Sequence, residues 1–128
     1  MLTKEKLLNE AKNQACKFIT DRKRPLTSSQ LRRFFGEVKR LERKYKLLAR
    51  EKGEDEAFNE IEPMLGMLAV NANYTWERGK IPDKFREFLE NSVRSINSGK
   101  QFEEFAKYFE AVVGHYYYEA KKAGLKID

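Results

Sequence analysis

A helix drawn over residues 28–52 gathers an unusual number of cations on one side. At 100° per residue, Arg32, Lys39, Arg43, Lys46 and Arg50 fall in a single narrow stripe, with Arg33, Arg40 and Lys44 as a second row beside it. Glu37, Glu42 and Glu51 interrupt the rows, and Glu42 falls close to the apolar side. From Arg32 to Arg50 the stripe covers roughly 27 Å at the rise of an α-helix. That is the reach of several successive phosphates along a nucleic acid strand. Phosphate binding calls for fixed cations in a row, and arginine's forked donors favour it. Arg22, Lys23 and Arg24 extend the positive surface into the loop before this helix. The hydroxyls of Thr27, Ser28 and Ser29, with the free amides of the helix start, could hold a phosphate too. Capping explains the same hydroxyls without any ligand.

Single-stranded RNA is also held by aromatic side chains on which bases stack. In Gly114-His115-Tyr116-Tyr117-Tyr118, helical geometry turns Tyr116 to the core, leaves Tyr117 on the flank and points Tyr118 outward. Tyr118 is therefore the candidate stacking residue, and a tyrosine lying along its own helix is the plainer reading of it.

Other chemistry is hard to build from this sequence. His115 and Cys16 are the single histidine and single cysteine, and nothing near either in sequence makes a catalytic pair or a metal site. Cys16 reads as a small, buried or half-buried hydrophobe. There is no glycine-rich phosphate loop, no His-Glu-x-x-His and no Gly-x-Ser-x-Gly. The remaining carboxylates sit among lysines and arginines on polar faces. The expectation is a protein that is not an enzyme, with no cofactor and no metal.

The charge distribution agrees with a polyanionic partner. The formal charge is +6 overall, but residues 1–52 carry +10 and residues 53–128 carry −4. A polar N-terminus and the lack of any long apolar run predict no secretory signal, no membrane span and a cytoplasmic location.

The elements that must position these residues are helical nearly throughout. Leu7, Leu8, Ala11, Ala15, Phe18 and Ile19 predict an inner face for a first helix from about Lys4 to Arg22. Thr27-Ser28-Ser29-Gln30 is a capping box, and Leu26 with Leu31 is a hydrophobic staple. Leu31, Phe34, Phe35, Val38, Leu41, Tyr45 and Leu48 then run for about five turns to a stop at Gly53. A third segment starts near Asp55 and should break or kink at Pro63. From Met64 to Arg78 the helix is apolar on more than one face. Leu65, Leu68, Ala69, Ala72 and Trp76 lie on one side, and Met64, Met67, Val70 and Tyr74 elsewhere. Such a helix should be the buried centre of a bundle or be covered by a partner. A fourth helix spans about Asp83 to Ser98, stopped by Gly99, and a fifth about Gln101 to Ala123. The expected fold is all-α: a single helical-bundle domain, residues 1–128, of about five long helices with a break near Pro63.

Three blocks carry a resemblance. Leu26-Thr27-Ser28-Ser29-Gln30-Leu31-Arg32-Arg33-Phe34-Phe35-Gly36-Glu37-Val38 resembles the signature helix start of one family. Phe58-Asn59-Glu60-Ile61-Glu62-Pro63-Met64-Leu65 is similar to its second signature, and the stretch from Phe102 to Val113 resembles its closing helix. The family is the small helical subunit of type III-A CRISPR interference complexes, the Csm type. The resemblance implies a role rather than a chemistry. Such subunits stack as several copies along the belly of the complex, face the guide RNA and its paired target RNA, and help hold the duplex. The nuclease and cyclic-oligoadenylate activities belong to other subunits. Carried over by position, Arg32, Arg33, Lys39, Arg40 and Arg43 should face RNA; Lys46, Arg50 and Tyr118 enter on helical geometry alone. Expected partners are guide RNA, target RNA, the other Csm subunits and neighbouring copies of the chain, with a homodimer when it is isolated. Two rival readings stand beside this one: an interaction adaptor whose basic helix docks an acidic partner, and a DNA-binding helix-turn-helix. The second helix is too long and too evenly basic to favour the latter.

Overall fold

Caps and apolar stripes set most of the helix boundaries. The computed structural model describes residues 1–20 and 24–127. Among the described residues there are five α-helices and no strand: α1 (Ala11–Ile19), α2 (Ser28–Lys52), α3 (Glu54–Glu77), α4 (Asp83–Ser95) and α5 (Gly99–Lys122). A π-helical stretch, Lys6–Glu10, runs into α1. The protein is thus the all-α bundle that the periodicity implies.

The basic helix α2 packs against α3 and α5, α1 lies on α5, and α4 lies on α3. Phe85 of α4 ties the core together. Its ring meets Phe18 of α1 edge-on at 5.1 Å and Phe34 of α2 at 5.6 Å. Phe88 and Phe35 meet Phe109 of α5 at 5.3 Å and 5.4 Å. The enclosed rings among these contribute roughly 1.5–3 kcal/mol each over an exposed one, and the partly buried Phe35 less.

The start of α2 is held from three sides. Thr27 caps it, its hydroxyl accepting from the Gln30 amide at 3.3 Å. Leu26 and Leu31 are both buried, as a staple requires. Leu26 donates its N–H to the Phe18 carbonyl, the Tyr116 hydroxyl donates to the Leu26 carbonyl, and the Ser28 N–H donates to the Ile127 carbonyl. The second half of the capping box does not form in this structure: the Gln30 side chain accepts instead from Arg33 at 3.5 Å.

Three further expectations need correction. The helix does not break at Pro63; α3 runs through it without interruption. Pro63 and Asn59 both face water, so the carbonyl that loses its partner can be hydrated, while Phe58, Ile61 and Leu65 hold the inner side to the core. Gly99 does not stop α4, which ends at Ser95. Gly99 is instead the first residue of α5, behind a Ser98 cap that accepts from the Gln101 amide at 3.2 Å. Leu8 is exposed rather than inward-facing, because the i→i+5 bonding of Lys6–Glu10 shifts the helical phase there. Of the two alternatives for α3, a buried centre or a face left for a partner, the buried centre is not what the structure has. With α2 and α4 against it, Met67, Val70 and Tyr74 remain more than half exposed, and Trp76 is partly exposed beneath Arg86.

Candidate nucleic-acid interface

Because Leu31, Phe34, Val38, Leu41 and Tyr45 bury one side of α2, its opposite side is forced outward. The cations on that side differ in what they touch. The side chains of Arg32, Arg43 and Arg50 are exposed and have no ion-pair or hydrogen-bond partner among the described residues. Eleven and seven residues separate them, so they stay within about 20° of one line along the helix.

The others are engaged. Lys39 lies 2.8 Å from Glu42 and 3.5 Å from Glu110 of α5, and the hydrogen bond to Glu42 is the main reason its pKa is raised. Lys46 approaches the same Glu42 carboxylate at 3.8 Å. Glu42 is the one buried charged side chain among the described residues, so these lysines are its counter-ions. Arg40 is paired with Glu37 at 2.8 Å, and Arg33 lies over the Phe34 ring at 5.3 Å. Lys44 is turned to the Met64 sulfur of α3 at 3.9 Å.

The flanking candidates separate. Arg22 and Lys23 lie outside the described residues. Arg24 is half-buried, and its guanidinium donates to the Trp76 carbonyl at the end of α3, at 3.2 Å. That contact suits a cation at a helix C-terminus. Ser28 is buried and Ser29 exposed, so Ser29 is the one of the two whose hydroxyl faces solvent. Tyr116 is enclosed, Tyr117 is half-buried, and Tyr118 is 64% exposed, as the helical geometry requires.

The two groups with intrinsic reactivity are occupied. His115 Nε2 is 2.8 Å from the Leu7 carbonyl, which can only accept, so that nitrogen carries a proton. The Cys16 thiol donates to Glu119 at 3.9 Å, and burial, with the Glu119 charge, raises its pKa. Neither lines the cavity of about 380 Å³ between α1, α4 and α5, whose Glu10, Glu87, Lys17 and Lys84 mix both signs. At its edge, burial pushes the Tyr108 hydroxyl up to about 12. No group of three metal-ligating side chains is present among the described residues, and none of their helices is long and apolar enough to cross a membrane.

Sequence reasoning does not find two features of the face. Leu47 is half exposed between Arg43 and Arg50, and Gly36 leaves a bare stretch of helix among the cations. The helical wheel signals both, but only a stripe of charge is conspicuous in it.

A small helical bundle with one outward basic helix is the class of protein these features define. The family model for Csm2 Type III-A matches residues 2–122. The chain belongs to that family and is a small subunit of the type III-A CRISPR complex of the Csm type. No curated protein and no solved structure matches it.

Proposed function

We propose that residues 1–128 work in the cytoplasm as one non-catalytic domain that binds guide RNA and target RNA through the outer face of α2. Recognition runs through phosphates and duplex shape, since base pairing already supplies the sequence specificity. The observation that carries this reading is the row of Arg32, Arg43 and Arg50, exposed and without partners among the described residues. Arg33, Lys39, Arg40 and Lys46 flank it, and Lys39 and Lys46 contribute less because Glu42 already neutralises them in part. Tyr118 is the stacking candidate. The exposed Met67, Val70 and Tyr74 of α3 are the surface for neighbouring copies or other subunits, and support a role in assembly.

The competing reading is an adaptor whose basic face docks an acidic protein. Binding to RNA, DNA and polyglutamate, each titrated with salt, separates the two. RNA binding whose affinity falls linearly on a log–log salt plot, and that outcompetes polyglutamate, supports the RNA reading. Equal or tighter binding of polyglutamate would hand the face to an acidic partner.

A further inference from the structure

Three glycines lie inside helices with open space around them: Gly36 in α2, Gly66 in α3 and Gly114 in α5. None has an atom within 4 Å of where a Cβ would sit, and none has a positive φ. The fold therefore has no use for them. Alanine would fit and would favour the helix, because glycine loses more backbone freedom on folding.

Their surroundings distinguish them. On a helix surface, a residue's neighbours are those three and four positions away on either side. For Gly66 they are Glu62, Pro63, Ala69 and Val70; for Gly114 they are Glu110, Ala111, Tyr117 and Tyr118. For Gly36 all four are cations: Arg32, Arg33, Lys39 and Arg40. We infer that Gly36 is the floor of a phosphate seat, where one phosphate of an RNA backbone rests against the bare helix within a ring of four cations.

The inference deepens the RNA reading and rests on it. Omitting a side chain lets an anion come closer to the helix by about the length of a C–C bond, and charge attraction rises as distance falls. Arg32 has no partner among the described residues, so its whole fork is free for a phosphate. Arg40 and Lys39 are paired, with Glu37 at 2.8 Å and with Glu42 at 2.8 Å. Each still has donors to spare, five on a guanidinium and three on an ammonium. Arg33, with Gln30 at 3.5 Å, closes the ring.

The test uses the whole chain, a short fluorescein-labelled RNA and anisotropy titrations across a range of KCl. Gly36→Ala should raise Tm by about 2–5 °C yet weaken RNA binding about threefold. Gly36→Leu should weaken it about tenfold and lower the salt slope by about 0.7–0.9, one phosphate's share. Gly66→Ala and Gly114→Ala should raise Tm in the same way and leave RNA affinity unchanged. A variant with Arg32, Arg43 and Arg50 all changed to Glu serves as the reference. If it loses RNA while Gly36→Leu binds like the parent, the seat is refuted and the basic face stands. If both bind like the parent, the face and the seat fall together.

Discussion

The Lys39 ammonium lies 2.8 Å from the carboxylate of Glu42, a side chain enclosed beneath the basic face. This lysine is thus partly a structural counter-ion. Lys39→Glu would set a third carboxylate beside Glu42 and Glu110. It should cost about 1–3 kcal/mol, less than for a fully buried pair because Lys46 still approaches Glu42. Arg43→Glu, on a side chain with no partner among the described residues, should stay within about 0.5 kcal/mol. Urea denaturation of the two variants checks the contrast; equal costs would remove the counter-ion role.

Gly99 is a glycine the fold requires for lack of space. A Cβ there would overlap the phenol of Tyr45, which is buried and packed edge-on against Phe102 at 6.0 Å. Gly99→Ala should therefore destabilise the protein by about 1–3 kcal/mol, as overpacking does. Tyr45→Phe on top of it should recover part of the loss by removing the hydroxyl. A thermal melt in which Gly99→Ala matches the parent would contradict this packing.

Acid should loosen the start of α4 and its contact with α3. The hydrogen bond from Arg86, at 2.7 Å, holds the Asp83 carboxyl below its ordinary value of 3.8. The hydrogen bond from Asn73 is the main cause holding Glu90 below 4.5. The unfolded chain then takes up these protons first as pH falls. Their stabilisation is present above the ordinary values and is lost as pH drops through the lower folded ones. Tm should decline below about pH 4.5, and Asp83→Asn with Glu90→Gln should flatten that decline. An unchanged acid profile in the double variant would exclude this joint as its source.

The isolated protein should self-associate through α3. Met67, Val70 and Tyr74 expose more than half their surface along one side of it. Sedimentation should show mass rising with concentration, and Val70→Glu should return the protein to a monomer without lowering its Tm. A strict monomer at high concentration would contradict the use of this face between copies.

Much of this was legible in the residues alone. The Thr27 cap, the Leu26–Leu31 staple and the stripe from Leu31 to Tyr45 are local features, and local spacing decides them. Pro63 and Gly99 were misread because their meaning is tertiary. One is tolerated because it faces water, and the other is needed because a tyrosine from α2 packs against it. The same limit applies to the basic face. Its positions follow from helical spacing, but its division into paired and unpaired cations depends in part on Glu110, which α5 brings alongside Lys39.

The most direct measurement is the salt dependence of RNA binding by a variant with Arg32, Arg43 and Arg50 all changed to Glu. None of the three has a partner among the described residues, so the variant should melt like the parent. Its RNA affinity should collapse, and the slope of log affinity against log salt should shrink by about 2–3, close to 0.7–0.9 for each contact, whatever the RNA sequence. A variant that is folded and still binds RNA as tightly as the parent at every salt concentration would contradict the assignment of α2 as the RNA-binding face.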